Sequence, residues 1–301
     1  MADACLDRTI LPNLPVWGHG PEERSQQDDR RDFLCYTYFI TLRNKKGVEI
    51  MYFDTHAHYD DKAFDTDRIA LLNGLHDQGV DLIINPGCDE DSSRAAVALA
   101  EELPFVYAAV GVHPEELASY SGSLDSIRAL AAHPKCVAIG EMGLDYYWDP
   151  EHKEEQKALF RQQIELALES GKPAIIHDRE AHGDCLDIVR DYPELRGVFH
   201  CYSGSAEMAK ELLQRGWYLG FDGPVTYKNA RRNLEVLEIC PLDRILIETD
   251  SPYLTPVPKR GKRNNSGNLC YIAEKIAEVK GASPEEIARI TMENGRRLFG
   301  I

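Results

Sequence analysis

The chain lacks any apolar run long enough to cross a membrane, and its cysteines form no C-x-x-C pair. The longest apolar-aromatic run, 33–42, is too short to span a bilayer and has neither the cationic start nor the cleavage site of a signal peptide. Eight cysteines scattered through 301 residues are typical of reduced, buried thiols and not of a disulfide framework. These absences predict a cytoplasmic protein with no membrane partner.

Cations are also scarce, since 34 Lys and Arg residues face 50 Asp and Glu residues, which gives a net charge of −16. Nucleic acids are held largely by Lys and Arg contacts with phosphate, so this balance argues against a polyanionic partner. The objection concerns the whole chain, however. What a substrate meets depends on the charge around the functional site.

Residues 1–50 differ in composition from the rest of the chain, with three prolines, a polar stretch and a basic end. We interpret them as a short N-terminal extension that is poorly ordered, or as a misassigned start with Met51 as the initiator. Residues 51–301 are long enough to form one large domain.

From Met51 onward, short apolar runs alternate with longer amphipathic stretches. Near-continuous apolar strands separated by helices predict a parallel sheet that is covered on both faces, and eight such units match a closed α/β barrel of the TIM (β/α)8 type. An open doubly wound sheet is the alternative, but no Gly-rich loop follows the first strand. The predicted strands are Tyr52–Asp54, Val80–Ile84, Val106–Val110, Val137–Ile139, Ala174–Ile176, Gly197–Phe199, Tyr218–Phe221 and Ile245–Ile247.

Side chains that bind metals follow five of these strands, and a barrel would bring them to one mouth. Two histidines at i and i+2 on an extended segment face the same side and can share one ion. A single His-x-His is usually incidental, but six such residues at matching strand ends favour a metal site. They are His56, His58, Glu141, His177, His200 and Asp250.

Two carboxylates buried beside four imidazoles are costly unless a divalent cation compensates. The set has more donors than one tetrahedral ion needs, which makes Glu141 a plausible bridge between two ions. Two divalent ions (+4) with Glu141 and Asp250 (−2) leave a local charge of +2, which attracts phosphate. The donor types leave Mg²⁺, Mn²⁺ and Zn²⁺ open.

Six segments of residues 51–301 carry recognisable motifs, in order 53–58, 111–114, 140–145, 177–179, 200–204 and 248–254. By these segments, residues 51–301 resemble the TatD family of metal-dependent deoxyribonucleases. The resemblance implies that His56, His58 and Asp250 hold one ion. It implies that His177 and His200 hold the other and that Glu141 is shared between the two. It also implies hydrolysis of DNA phosphodiesters, often from the 3′ end. One departure is Asn-Ser-Gly at 265–267, where relatives usually carry a Glu-Pro-x pattern.

The expected reaction is attack of an activated water on phosphorus. Asp250 would orient this water and accept its proton, and Glu141 would hold the ions together. His113 and Arg179 are predicted to contact a phosphate or the leaving oxygen, although a turn cap or a surface ion pair would explain them as well. Asp54 is predicted to orient a metal-bound histidine.

The loop beyond the eighth strand carries Lys259, Arg260, Lys262 and Arg263. A charge run is usually a solvated surface, but this position favours contact with a DNA or RNA backbone, with Arg260 and Arg263 as substrate-binding residues. Two other functions remain open: a related amide or ester hydrolase, such as an aminoacyl-tRNA deacylase, and a non-catalytic nucleic-acid-binding barrel.

Overall fold

The structure, a computed structural model, describes residues 50–301. Residues 1–49, and with them nearly all of the predicted N-terminal extension, lie outside this range. Within it, no helix combines the length and the apolar character needed to cross a membrane. The six cysteines of this part of the chain are free thiols.

Eight parallel strands follow one another around a single sheet in the order of the sequence. The circle closes between the segments after the first and last strands, where Ala57 and Ser251 form a parallel bridge and the Thr55 N–H donates to the Ile247 carbonyl at 3.3 Å. This confirms the TIM-type (β/α)8 fold. The strands are β1 Tyr52–Asp54, β2 Val80–Pro86, β3 Val106–Val110, β4 Cys136–Asp145, β5 Ala174–Arg179, β6 Gly197–Phe199, β7 Tyr218–Phe221 and β8 Ile245–Ile247.

Helices separate the strands and cover the outside of the barrel. Their ends follow local sequence signals: in the last helix, Ser283 caps the N-terminus ahead of Pro284, and Gly300 ends the helix with φ of +72°. The α-helices are α1 Arg68–Asp77, α2 Glu90–Glu102, α3 Asp125–Ala131, α4 Lys153–Ser170, α5 His182–Arg190, α6 Ala206–Gln214, α7 Arg231–Ile239, α8 Leu269–Lys280 and α9 Pro284–Phe299.

The buried apolar side chains form two clusters. The larger one lies between the strands and the surrounding helices, as the fold class requires. The smaller one joins strand residues such as Phe53 and Leu246 to Met292 and Phe299 of α9. Together they hold the strands rigidly, so that the side chains at the strand ends keep fixed positions.

Five strands have the predicted bounds, whereas β2, β4 and β5 are longer. The extension of β4 matters most, because Glu141 lies inside this strand and not after it. The register between β4 and β5 shifts between Ile139 and Met142, which surrounds Glu141. Gly143 has φ of +150°, and a Cβ there would collide with the carbonyl oxygen of His177. A glycine is therefore needed for β4 to approach β5 at this irregularity.

Candidate metal centre

Four of the predicted ligands form a compact first group. The Nε2 atoms of His56 and His58 are 3.1 Å apart, and Oε2 of Glu141 lies 3.2 and 3.6 Å from them. Oδ1 of Asp250 lies 3.8 and 3.3 Å from the same two nitrogens. A tetrahedral ion with bonds of about 2.0–2.2 Å separates its ligands by about 3.4 Å. These four donors therefore fit one divalent ion.

The other oxygen of Glu141 faces a second group of imidazoles. Oε1 lies 2.7 Å from Nδ1 of His177 and 3.7 Å from Nε2 of His200. Nε2 of His113 is also close, at 3.5 Å. The ring of His200 also stacks on that of His56, with centres 3.6 Å apart, so His200 borders both groups. One carboxylate is thus presented to donors on two sides, which is the arrangement expected of a ligand that bridges two ions.

His113 differs chemically from the other imidazoles in this group. Its Nδ1 accepts the backbone N–H of Glu115 at 3.2 Å, so the neutral ring carries its proton on Nε2. That nitrogen faces Glu141 as a hydrogen-bond donor and has no lone pair to offer a metal. The geometry suits His113 to contact with an oxygen of a substrate, and the role predicted from the sequence stays a prediction.

Two carboxylates that the sequence analysis missed contact the outer nitrogens of the second group. Oδ2 of Asp145 lies 3.0 Å from Nε2 of His177, and Oε1 of Glu248 lies 2.9 Å from Nδ1 of His200. The His177 contact is a hydrogen bond, which keeps the proton on the outer nitrogen and turns the lone pair of the other toward a metal. Within the described residues, Nδ1 of His200 has no hydrogen-bond partner, so Glu248 acts on this ring through its charge. A usable signal existed for Glu248, which lies two residues before Asp250.

Asp54 contacts the backbone of His56, so the predicted positioning of a histidine would act through the main chain. Its carboxylate accepts the N–H groups of His56, at 3.3 Å, and Thr249, at 3.0 Å, and the Thr249 hydroxyl at 2.6 Å. It therefore ties together the backbone segments that follow β1 and β8 and carry His56 and Asp250. Its effect on the centre is exerted through the backbone.

Both inner carboxylates are held in the ionised form. Burial by itself would raise the pKa of Glu141, but His56 and His113 beside it bring this pKa well below its usual range. Burial likewise opposes ionisation of Asp250, and the contact with His58 prevails and lowers its pKa to about 2. Near neutral pH, both side chains are therefore available as anionic ligands.

The second group of imidazoles holds protons in the metal-free protein. Burial alone would lower the pKa of His177, yet Asp145 and Glu141 raise it to about 9. For His200, burial is again outweighed, and the charge of Glu248 contributes to a pKa of about 10. Protonated imidazoles thus occupy positions where a cation would satisfy the same carboxylates.

Arg179 and Arg260 each lie against aromatic rings. Arg179, at the end of β5, places its guanidinium 4.4 Å from the ring centre of Tyr147 and 5.5 Å from that of Trp148. Arg260 lies 4.2 Å from the ring centre of Tyr227. Neither arginine forms an ion pair within residues 50–301, so both charges remain available to an anion.

Arg263, in contrast, is engaged within the protein. Its guanidinium forms a two-pronged ion pair with Asp67, at 2.6 and 2.9 Å, and lies over the ring of Phe64. The unusual segment that follows is anchored as well, because the Ser266 N–H donates to the Tyr59 hydroxyl at 2.8 Å. The loop beyond β8 is therefore fixed against the segment between β1 and α1.

Comparison with known proteins agrees with this architecture. The sequence profile of the family described as TatD related DNase matches residues 53–300. YabD of Bacillus subtilis strain 168, named an uncharacterized metal-dependent hydrolase, is 46% identical over 254 residues, which cover 83% of this chain and 100% of YabD. A protein of Musicola paradisiaca strain Ech703, named 3′-5′ ssDNA/RNA exonuclease TatD, is 34% identical over 258 residues, which cover 82% of this chain and 97% of that relative.

A solved structure also resembles this fold. The crystal structure of YjjV, a TatD homolog from Escherichia coli K12, matches with a TM-score of 0.78 and 31% sequence identity, over 83% of this chain and 98% of YjjV. The family profile extends over nearly the whole described barrel, and the similarity to YabD covers that protein completely. The chain therefore belongs to the TatD family of metal-dependent hydrolases.

Proposed function

We propose that the protein is a phosphodiester hydrolase that uses two divalent ions to remove nucleotides from the 3′ end of a DNA strand. The observation that carries the proposal is the position of Glu141, whose two oxygens face two separate sets of imidazoles. Paired ions suit the displacement of one phosphate oxygen by another. The Musicola relative is named a 3′-5′ ssDNA/RNA exonuclease, which supports a single strand of DNA or RNA as the substrate.

In this proposal, His56, His58 and Asp250 hold one ion. His177 and His200 hold the other, and Glu141 binds both. Imidazole and carboxylate together suit Zn²⁺ or Mn²⁺, and Mg²⁺ is also compatible with the carboxylates and a phosphate. When bound, the ions would polarise the phosphodiester and lower the pKa of a water molecule.

Side chains of the protein would handle the protons. Asp250 is ionised and 16% exposed, so its carboxylate is suited to accept a proton from the attacking water at the mouth of the barrel. His113 would donate its Nε2–H to a phosphate oxygen or to the leaving oxygen. Arg179 and Arg260 would contact neighbouring phosphates, and Arg263 would hold the loop against Asp67.

The proposal extends to the whole chain. Residues 51–301 would form the hydrolase barrel and residues 1–50 an extension without a catalytic role. A cytoplasmic location is supported by the six free thiols of the described residues, since oxidising compartments favour disulfides.

The decisive test is degradation of end-labelled single-stranded DNA by the wild type, with and without a chelator, and by Glu141→Ala. Loss of the bridging carboxylate should reduce kcat at least about a thousandfold, because both ions lose a ligand. Glu194→Ala, an exposed change at the opposite end of the barrel, serves as the control and should behave as the wild type.

Other outcomes would redirect the assignment. Metal-dependent cleavage of an aminoacyl ester without cleavage of any strand would favour the related ester hydrolase. Freshly purified protein with almost no metal and no response to added Mn²⁺, Mg²⁺ or Zn²⁺ would favour a non-catalytic barrel.

A further inference from the structure

Two aromatic side chains are exposed next to each other in the loop that follows β4. Tyr147 and Trp148 each leave 48% of their surface in solvent, and their ring centres are 4.9 Å apart at an angle of 87°. The other large apolar side chains that are strongly exposed within residues 50–301 are all aliphatic and lie elsewhere: Met51, Leu168, Ile239 and Val257. Adjacent exposed aromatic rings of this kind commonly mark a surface that binds a ligand.

Arg179 gives this exposed pair a positive charge. Its guanidinium lies over both rings and forms no ion pair with any residue in the range 50–301. The contact orders the rings, since a cation above an aromatic face is attracted to it. Tyr147, Trp148 and Arg179 therefore combine aromatic faces with an available cation, and we name them the aromatic platform.

A single carboxylate connects the aromatic platform to the metal centre. Oδ1 of Asp145 accepts the N–H groups of Tyr147 and Trp148, at 2.9 and 2.8 Å. Its other oxygen lies 3.0 Å from Nε2 of His177, whose Nδ1 faces Glu141. Asp145 is also the register partner of Arg179 across the β4–β5 pair. The platform is thus held at a fixed position beside the proposed ion sites.

We propose that the aromatic platform stacks an unpaired base of the strand whose phosphodiester lies at the metal centre, while Arg179 contacts a flanking phosphate. This inference rests on the proposed function and adds the substrate feature that is recognised. A base offers a flat face whatever its identity, so stacking on Trp148 tolerates any sequence. Bases in a duplex are paired and stacked on one another, which restricts the platform to single strands or frayed ends.

The test compares two substrates in each protein variant. One is a short oligothymidylate, and the other has the same backbone but lacks bases at its 3′-terminal positions. The wild type should favour the base-bearing end in kcat/KM by about tenfold, mainly through KM, which corresponds to about 1.4 kcal/mol. In Trp148→Ala this ratio should fall to near unity, and Trp148→Phe should restore most of it.

Fluorescence gives a second readout that a purely structural role would not produce. Trp217 is only 2% exposed, and Trp17, which lies outside the described residues, is present in every variant. The base-bearing oligonucleotide should therefore quench the emission of the wild type more strongly than the abasic one does, and comparison with Trp148→Phe assigns the excess to Trp148. The excess quenching should vanish in Trp148→Phe, although that variant still selects the base-bearing end. Leu168→Ala, an exposed change on α4, is the matched control and should keep both the selectivity and the quenching.

The outcomes separate the two proposals. If the wild type cleaves both ends equally well, or if Trp148→Ala retains the selectivity of Leu168→Ala, the platform is refuted and the proposed function stands. If the wild type cleaves neither strand in the presence of metal, the proposed function fails and the platform fails with it.

Discussion

Asp145 combines two tasks within one side chain. One oxygen holds the backbone of the loop at Tyr147 and Trp148, and the other contacts the outer nitrogen of His177. The second contact keeps the His177 proton on Nε2 and leaves Nδ1 free to bind a metal beside Glu141. The orientation of this imidazole therefore depends on the charge state of a residue that would not itself bind the ion.

Asp145→Asn tests this dependence. The introduced amide can still accept the loop N–H groups, but its NH2 group would face Nε2 of His177 and move the imidazole proton to Nδ1. We expect affinity for the second ion to fall about 10- to 100-fold with the fold intact. Titration calorimetry with Mn²⁺ measures this affinity. Asp149→Asn changes the carboxylate paired with His152 outside the centre and is the control; equal affinities in both variants would contradict the argument.

Arg260 and Arg263 share one loop but should respond differently to substitution. Arg260→Gln removes a cation that has no ion-pair partner among residues 50–301, so the salt dependence of strand binding should weaken by about one unit of slope, with unfolding unchanged. Arg263→Gln breaks the pair with Asp67 and should lower the urea midpoint. Binding as a function of salt, together with urea unfolding of each variant, measures both effects. The opposite pattern would indicate that Arg263, and not Arg260, contacts the substrate strand.

At this scale, the residue types and their strand positions were sufficient to predict convergence of the six donor residues, because parallel strands of a barrel end at one mouth. The sequence did not reveal that Asp145 and Glu248 would contact the ring nitrogens of His177 and His200 that face away from Glu141. That property depends on side-chain direction and on which ring nitrogen is turned inward. Neither follows from hydrophobic periodicity.

Among the elements, β4 carries the largest difference between prediction and structure. The apolar pattern of Val137–Ile139 predicts a short strand, because two glycines and a carboxylate follow. In the barrel, the strand continues through them to Asp145, and its interruption surrounds Glu141, which faces the imidazoles of the candidate metal centre. Strand ends at a functional mouth are polar for chemical reasons, so hydrophobicity underestimates their length. The same reason applies to the extensions of β2 and β5.

Gly143→Ala tests whether the close approach of β4 and β5 is required. The added Cβ would meet the His177 carbonyl, and φ of +150° disfavours any side chain. Strain and overpacking should together lower the free energy of unfolding by about 3 kcal/mol. Gly183→Ala is the control, because it lies in helix α5 with no atom near its Cβ position and should be neutral or slightly stabilising. Urea unfolding of both variants measures the difference in stability. Similar midpoints would show that the approach of β4 to β5 does not require a glycine at position 143.

The molecule as a whole carries a net charge of −16, which does not by itself exclude a nucleic-acid partner. The sequence-based count gave the centre a charge of +2 with bound ions, but Asp145 and Glu248 add two negative charges behind the imidazoles. The attraction of a strand must then depend more on the cations of the mouth, Arg179 and Arg260. An acidic exterior with local cations would also limit non-specific binding to nucleic acid.

Proton binding and metal binding compete across the whole fold. In the metal-free protein, the pKa values of His177 and His200 are about 9 and about 10, above the ordinary value of about 6.5. Their charged forms contribute stability that is complete below about pH 6.5 and is lost as pH rises through about 9 to 10. Metal requires the neutral rings, so binding releases these protons and strengthens as pH rises. Glu141 and Asp250 stay ionised throughout this window.

The increase in Tm caused by saturating Mn²⁺ should therefore grow between about pH 6 and about pH 8. Release of each of these two protons raises the affinity about a hundredfold over two pH units, which is worth about 2.7 kcal/mol per proton, so the Tm increase should grow by at least about 5 °C for a barrel of this size. Thermal unfolding with Mn²⁺ and with a chelator at each pH measures the difference. Glu141→Ala should show almost no metal effect at any pH. A Tm increase that is constant or that shrinks toward higher pH would mean that His177 and His200 do not bind the ion.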